Sequence, residues 1–360
     1  MAVQKINIDE FIIETRVSIG VSIRSSIIID VRSPAEFEQA HIPSALNLPL
    51  FNNEERAMIG TTYKKQSREA AIKAGLPIFG MKMLPMIETV EAWIKDRHKE
   101  NDLTKPTIYL HCWRGGMRSA AMAWLLDLYG YKVIQLTGGY KAYRNWVLEQ
   151  FTISYSLKVL GGYTGSGKTE ILHALQNKNY PVIDLEGLAH HKGSAFGAIG
   201  QLPQPSQEMF ENIVAKKLFE ENKNNKSIWI EDESQRIGTV LIPTPLFHLM
   251  RSSPCYFLTI PFEQRLNFIV EGYGSFDQKS LIEATIRIQK RLGGLETKTA
   301  VDFITAGALK EAFSILLKYY DKWYEKNAKK EAVPKLELIP VSSEMVDPVH
   351  NAQLLEKISE

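Results

Sequence analysis

The sequence predicts an α/β protein of two domains, each built around a parallel sheet. At 360 residues the chain is long enough for two separate cores. Two short apolar runs, Thr107–Leu110 and Leu157–Leu160, each lead through a glycine-containing loop into a helical pattern. The chain changes character near Gln150, so we expect one domain over residues 1–150 and a second over residues 151–360.

Further strands and helices are predicted on both sides of this boundary. In the first domain we expect strands at Ser26–Asp30 and Val133–Leu136 and helices at Ala120–Tyr129 and Ala142–Trp146, with an inserted helical segment that includes Met58–Ala74. In the second domain we expect strands at Ser227–Ile230 and Pro254–Ile260, and helices at Glu170–Gln176, Leu281–Leu292 and Ala308–Lys326.

Composition is that of an ordinary globular protein. Hydrophobic residues make up 44% of the chain, charged residues 23%, and the formal net charge is +2, so overall charge does not indicate nucleic-acid binding. Two cysteines form no disulfide framework and favour a reducing cytoplasm, with Cys255 expected in the core. We see no secretory signal and no run of roughly 18 apolar residues, so no membrane span is expected.

A cysteine loop forms the first candidate site. His111–Ser119 follows a predicted strand and enters a helix, so backbone N–H groups should face Cys112 and favour its nucleophilic thiolate. Arg114 and Arg118 add positive charge, and we expect all three to be catalytic. The alternatives are a buried structural cysteine, and a cysteine-dependent phosphatase, because five residues separate Cys112 from Arg118. The loop alone does not separate persulfide carriage from phosphoester cleavage.

A phosphate-binding loop forms the second candidate site. Gly162–Thr169 matches G-x-x-x-x-G-K-[ST] between a strand and a helix. Lys168 is expected to neutralise phosphate charge catalytically, and the hydroxyl of Thr169 to reach Mg²⁺. The residues expected to contact phosphate are Gly162, Gly165, Ser166, Gly167, Lys168 and Thr169.

Acidic residues follow the next predicted strand of the second domain. Glu231 and Asp232 occupy a position typical of Mg²⁺ ligands in phosphate-loop proteins, and we expect them to join Thr169 in a possible Mg²⁺ site. Which acid binds the ion is open, and a solvated strand end is the alternative. Gly193 and Gly197 flank Ser194, which indicates a loop that approaches a ligand closely.

Taken together, these motifs resemble those of one family. The cysteine loop and the end of the first domain are similar to rhodaneses, and a rhodanese-like domain followed by a P-loop NTPase-like domain is a rare pairing. With the segments Asp184–Ala189, Gly193–Gly197 and Glu231–Ser234, the chain resembles tRNA 2-selenouridine synthases from about Ile27 to about Pro340.

The resemblance implies a substrate and two co-substrates. The family attaches geranyl from geranyl diphosphate to the wobble 2-thiouridine of tRNA, then replaces the geranylated sulfur with selenium from selenophosphate. Cys112 would carry selenium as a selenosulfide or attack C2 of the base. A selenophosphate supply enzyme is a possible partner, and no membrane is expected to be involved.

The bound tRNA is expected to span both domains because one nucleotide must react at both candidate sites. Two basic clusters are candidates for its phosphates, although the first also fits a solvated helix face. These clusters are Lys64, Lys65 and Arg68 in the insertion, and Arg287, Lys290 and Arg291 in the second domain.

Two other classes of function remain open at this point. One is a rhodanese-like sulfurtransferase or phosphatase domain fused to a nucleotide-dependent kinase or NTPase, which would bind nucleotide tightly and turn it over. The other is a non-catalytic, nucleotide-gated tRNA-binding module, which would tolerate the loss of Cys112.

Overall fold

The chain divides into two units, Met1–Glu149 and Gln150–Glu360. The structure is a computed structural model that describes residues 3–21, 26–97, 105–222, 226–328 and 337–359. Both units combine helices with a parallel sheet, so the predicted α/β fold class is confirmed. The boundary between the units lies one residue from the predicted one.

The first unit contains a five-stranded parallel sheet in the order β1-β5-β4-β2-β3. Its strands are β1 (Gln4–Ile6), β2 (Ser26–Asp30), β3 (Leu46–Asn47), β4 (Thr107–His111) and β5 (Val133–Leu136). Its helices are α1 (Ile8–Val21), α2 (Pro34–Gln39), α3 (Asn53–Lys65), α4 (Arg68–Arg97), α5 (Met117–Leu128) and α6 (Gly139–Gln150).

The candidate site residues of this unit lie at the carboxyl ends of its central strands. β2 and β4 pair in parallel with Asp30 opposite His111, so the acid that ends one strand lies beside the residue that precedes the cysteine loop. Both strands are apolar and almost wholly buried, because helices cover the two faces of a parallel sheet. The sheet therefore holds the cysteine loop at its carboxyl edge.

The insertion between β3 and β4 is a helical hairpin. α3 begins with a capping box at Asn52 and Glu55, and α4 continues for 30 residues with Pro77 and Pro85 inside it. The inserted segment that includes Met58–Ala74 thus consists of two helices, because the chain breaks at Gln66 and the second helix extends far beyond Ala74.

The long helix α4 also bears on the expectation that no segment could span a membrane. An 18-residue window of it has a mean hydropathy of 1.3, so by length and composition alone it could cross a bilayer. That expectation is therefore not supported. Core helices pass the same test, and α4 packs Ala71, Phe79, Met86 and Val90 inward.

The second unit contains a five-stranded parallel sheet in the order β12-β11-β6-β8-β7 and a small antiparallel hairpin, β9-β10. Its strands are β6 (Leu157–Gly162), β7 (Val182–Ile183), β8 (Ile228–Glu231), β9 (Arg236–Ile237), β10 (Val240–Leu241), β11 (Cys255–Thr259) and β12 (Leu338–Ser342). Its helices are α7 (Lys168–Asn177), α8 (Leu185–Ala189), α9 (Gln207–Glu221), α10 (Thr244–Arg251), α11 (Phe262–Tyr273), α12 (Gln278–Arg287), α13 (Gln289–Leu292), α14 (Gly294–Thr305), α15 (Leu309–Ala328) and α16 (Pro348–Ser359).

Helices α11 to α15 form a second apolar core beside this sheet. Leu266, Leu281, Phe313, Leu316 and Leu317 are buried together there. The predicted helix over Leu281–Leu292 is divided at Ile288 into α12 and α13, whereas α15 lies where a long helix was predicted. This helical core forms one wall of the phosphate-loop cavity described below.

Candidate functional site

The cysteine loop surrounds a buried sulfur atom. Cys112 follows β4, and only 3% of its surface is exposed. The backbone N–H of Gly116 donates to Sγ at 3.3 Å, and the Ser119 hydroxyl lies 3.2 Å from the same atom. Because a backbone N–H stabilises a negative sulfur, this geometry suits a nucleophilic cysteine at the start of α5.

A glycine turn holds the loop from the other side. The N–H of Tyr140 donates to the carbonyl of Cys112 at 2.8 Å, and the N–H of Lys141 donates to the carbonyl of Trp113 at 3.0 Å. A Cβ atom on Gly139, whose φ is +59°, would lie 2.2 Å from the Cys112 carbonyl oxygen. The loop and turn therefore fit together only because residue 139 has no side chain.

A buried glutamine connects the loop to the sheet. Gln135 Nε2 on β5 donates to the carbonyl of Gly115 at 2.9 Å and to the Ser119 hydroxyl at 2.8 Å. Ser119 in turn lies beside the cysteine sulfur. Gln135 was not among the predicted site residues, and its signal in the sequence is a polar residue inside an apolar strand.

The two arginines of the loop have different surroundings. Arg114 is exposed, whereas Arg118 Nη1 lies 2.7 Å from the Glu36 carboxylate on α2. Burial alone would raise the pKa of Glu36, but the hydrogen bond and charge of Arg118 lower that pKa to about 2. Part of the Arg118 charge is thus compensated within the protein.

Asp30 and Arg32 form a structural pair below the loop. Their side chains are both buried, and Arg32 Nη2 lies 2.6 Å from Asp30 Oδ2. The same nitrogen donates to the carbonyl of Ala40, and the guanidinium lies 3.8 Å from the centroid of the Tyr140 ring. These contacts fix the turn that carries Gly139 next to Cys112.

In the second unit, Gly162–Thr169 links β6 to α7. Gly165 and Gly167 have φ values of +80° and +75°, and a Cβ on either would lie under 3 Å from a neighbouring side chain. The Lys168 ammonium donates to the carbonyl of Gly162 at 3.2 Å, so it lies over the loop. The Ser166 hydroxyl is buried and has no hydrogen-bond partner among the described residues.

The carboxylate nearest to Thr169 comes from an element that the sequence analysis did not place at the Mg²⁺ site. Thr169 Oγ1 donates to Glu186 Oε2 on α8 at 3.2 Å, and the N–H of Glu186 donates to Glu231 Oε1 at 2.7 Å. Asp232 is instead bound by Arg251 at 2.8 Å and by the Tyr324 hydroxyl. The geometry thus favours Glu186, with Glu231 behind it, over Asp232 as the acid at Thr169.

These buried acids repel one another. Burial, with the charges of Asp184 and Glu186, raises the pKa of Glu231 well above its usual range. Burial and the charge of Glu186 likewise raise the pKa of Glu233 well above its usual range.

Among the described residues, no three His, Cys, Asp or Glu side chains form a metal-binding group. The oxygens of Thr169 and Glu186 fit Mg²⁺ only as part of a shell completed by water and phosphate, as Mg²⁺ commonly prefers.

An ion pair of the helical core positions the phosphate loop. Arg265 on α11 is 4% exposed and pairs with Asp321 on α15 at 2.8 Å. It also donates to the carbonyl of Thr164, inside the loop, at 3.0 Å. No local sequence pattern identifies this arginine, because Thr164 and Asp321 lie far from it along the chain.

The phosphate loop opens into a cavity of about 330 Å³. Lys168, Thr169, Glu186 and Glu233 line its polar end. The remaining wall comes from the Gly193–Phe196 loop and from α11 and α15. The glycine-flanked Ser194 thus lies at this cavity.

The remaining predicted residues are either buried in the core or exposed at the surface of their own unit. Cys255 is buried in β11, where burial raises the pKa of its thiol to about 12, so it fits the expected core role. All six basic residues proposed for tRNA binding are exposed. Lys64, Lys65 and Arg68 lie at the junction of α3 and α4, and Arg287, Lys290 and Arg291 lie on α12 and α13.

Two family models match the two units. Residues 20–145 match the rhodanese-like domain, and residues 155–337 match the AAA domain of tRNA 2-selenouridine synthase. The second match alone covers about half of the chain.

Full-length relatives extend this similarity. The chain is 33% identical to tRNA 2-selenouridine synthase of Sulfurovum sp. over 87% of this chain and 92% of that protein. It is 34% identical to the Pseudomonas syringae enzyme of the same name, over 82% of this chain and 84% of that protein.

A further relative is matched over less of its length. The Nitrosomonas europaea protein, also named tRNA 2-selenouridine synthase, is 41% identical over 68% of this chain and 63% of its own length. The resemblance inferred from the motifs is therefore confirmed, and the chain belongs to the tRNA 2-selenouridine synthase family.

Proposed function

We propose that this chain is a transferase that converts the wobble 2-thiouridine of tRNA into 2-selenouridine in two steps, geranylation and then selenation. The observation that carries the proposal is the presence of a cysteine loop and a phosphate loop on one chain that aligns with 92% of a relative bearing this enzyme's name. The geometry of each loop supports a role in one of the two steps.

The first step belongs to the phosphate loop. The C1–O bond of geranyl diphosphate breaks, a C1–S bond forms to the 2-thiouridine sulfur, and the N3 proton of the base passes to solvent. Lys168 and the loop N–H groups stabilise the charge that develops on the departing diphosphate. Bound beside Thr169 and Glu186, Mg²⁺ would supply further positive charge to that diphosphate.

The second step belongs to Cys112, and a redox-neutral route is available to it. The thiolate attacks C2 of the base, a C2–S bond to Cys112 forms as the C2–S bond to the geranylated sulfur breaks, and the departing geranylthiolate takes a proton from solvent. Selenium of selenophosphate then displaces Cys112 from C2, and water cleaves the Se–P bond to release phosphate. A selenosulfide on Cys112 would instead require a two-electron oxidant, which neither co-substrate provides. Attack at C2 is therefore the route that we propose.

The partners follow from these substrates. The wobble nucleotide of the tRNA must take part in both the geranylation and the selenation reaction. Its base becomes accessible once it leaves the anticodon stack. The exposed basic clusters on α3–α4 and α12–α13 are the surfaces that we propose for its phosphates. An enzyme that makes selenophosphate would supply the second step. We assign the reaction to the cytoplasm, because two buried free cysteines fit a reducing compartment.

Mass spectrometry of tRNA nucleosides tests the proposal directly. The protein is incubated with 2-thiolated tRNA and geranyl diphosphate, and selenophosphate is added afterwards. We expect S-geranyl-2-thiouridine first and 2-selenouridine second. If no nucleoside changes while the protein binds ATP or GTP tightly and turns it over, a kinase or NTPase fused to a sulfurtransferase or phosphatase domain replaces our proposal.

A further inference from the structure

The cavity at the phosphate loop has two ends of different chemistry. Its polar end contains the glycine loop, Lys168 and Thr169. Its other wall is hydrocarbon and aromatic, and its principal side chains are Phe196, Ile269, Tyr273, Phe313, Leu316 and Leu317. A ligand that fills this cavity must therefore combine a phosphate group with an apolar body.

The apolar wall is closely packed. The ring centroids of Phe196 and Phe313 lie 5.9 Å apart, and those of Tyr273 and Phe313 lie 5.7 Å apart. Phe313, Leu316 and Leu317 are each no more than 3% exposed and belong to the core of α11–α15. Because a packed core resists rearrangement, this wall presents a nearly fixed boundary to whatever occupies the cavity.

The polar atoms near this wall are already engaged within the protein. The hydroxyl groups of Tyr273 and Tyr320 interact with the Ser194 hydroxyl, and the Tyr320 oxygen also accepts a hydrogen bond from the N–H of Ala195. A nucleotide base placed here would leave its own polar groups without partners, which is unfavourable. A hydrocarbon chain carries no such groups and gains from leaving water.

We propose that this wall holds the hydrocarbon chain of the isoprenoid diphosphate, and that Phe313 and Leu316 limit the length of chain that is transferred. The inference rests on the proposed function, because it concerns the same cavity and the same first step. Each added isoprene unit must fit against side chains that cannot easily move. Shortening one of them opens space inside the wall, as in other cores with large-to-small substitutions.

The test measures chain-length preference rather than activity alone. The full chain is given 2-thiolated tRNA with geranyl or farnesyl diphosphate, and the ratio of the two kcat/KM values is determined. In Leu316→Ala, we expect the farnesyl-to-geranyl ratio to rise about tenfold or more, which is the scale on which a methylene group changes specificity in an apolar pocket. Phe313→Leu, a milder substitution in the same wall, should shift the ratio in the same direction.

A matched control separates the wall from general loosening of the core. Leu281 is fully buried in the same helical core but does not line the cavity, so Leu281→Ala should keep the wild-type ratio. If the wild-type protein transfers geranyl but the farnesyl-to-geranyl ratio is unchanged in both wall variants, this inference is overturned and the proposed function is not. An equal shift in Leu281→Ala overturns it as well. Wild-type protein that transfers no prenyl group overturns the proposed function and this inference together.

Discussion

The contact between Gly139 and the cysteine loop gives a quantitative prediction. In Gly139→Ala, the new Cβ would lie 2.2 Å from the Cys112 carbonyl oxygen, 2.5 Å from the Gly115 nitrogen and 2.9 Å from the Arg114 nitrogen. All three neighbours are backbone atoms, so no flexible side chain can move away. We therefore expect the loop to shift away from the turn and to lose the hydrogen bond from Tyr140.

The cost has two parts that can be separated by experiment. A non-glycine residue at φ +59° costs about 1–2 kcal/mol, and steric overlap adds about 1–3 kcal/mol, so the total is about 2–5 kcal/mol. Gly307 has a similar φ of +75° but nothing within 4 Å of its Cβ position. Gly307→Ala should therefore show only the first part, about 1–2 kcal/mol.

Hydrogen exchange measured by mass spectrometry on the full chain is the suitable assay, because it reports opening free energies for each unit separately. Peptides covering β4 and α5 should lose about 2–5 kcal/mol of protection in Gly139→Ala. Peptides covering α14 and α15 should report the smaller loss in Gly307→Ala. If Gly139→Ala costs no more than Gly307→Ala, the close packing of loop and turn is not what holds Cys112 in place.

Two further predictions concern charge. Glu36→Gln should destabilise the first unit by about 1–3 kcal/mol at pH 7. Because the pKa of Glu36 in the folded protein is lowered from 4.5 to about 2, the extra stability of wild type should be lost as the pH falls through that range. Urea unfolding at pH 7 and pH 3 measures this change, and an equal stability difference between wild type and variant at both pH values would contradict the role of Arg118. Alanine substitution of either basic cluster should weaken tRNA binding and reduce the log–log salt slope by roughly 0.7–0.9 per lost phosphate contact, and unchanged binding across a salt series in both variants would move the tRNA surface elsewhere. The clusters are Lys64, Lys65 and Arg68, and Arg287, Lys290 and Arg291.

Local sequence was sufficient for the strands that carry the chemistry. β2 and β5 have the predicted bounds, and β4, β6 and β8 differ from prediction by one or two residues. These strands are short apolar runs, and β4, β5 and β6 lead into loops that contain glycine, so the strands and several of their ends have a local signal.

Elements that depend on distant partners were harder to predict. α4 contains Pro77 and Pro85, which locally favour helix ends, yet its buried face packs on the first core and keeps it helical. β12 adds to the edge of the second sheet by pairing with β11, and nothing within its own sequence indicates that neighbour.

The candidate sites show the same division. Cys112, Lys168 and Thr169 lie in local motifs that identify them as candidates for a nucleophile and for phosphate and Mg²⁺ binding. Gln135 and Glu186 contact these motifs from other strands and helices, so only the fold brings them there. The carboxylate of Asp232 has the expected position in the sequence, but Arg251 and Tyr324 bind it.

The central claim is that the two loops serve successive steps, and one measurement tests it directly. Lys168→Ala and Cys112→Ser are each given 2-thiolated tRNA or tRNA that already carries the S-geranyl group, with selenophosphate and, for the first substrate, geranyl diphosphate. We predict that Lys168→Ala forms 2-selenouridine only from the geranylated tRNA, because diphosphate departs only in the first step. Cys112→Ser should accumulate S-geranyl-2-thiouridine from the first substrate and convert neither to 2-selenouridine. Equal failure of Lys168→Ala on both substrates, or 2-selenouridine formation by Cys112→Ser at the wild-type rate, would contradict this division of labour.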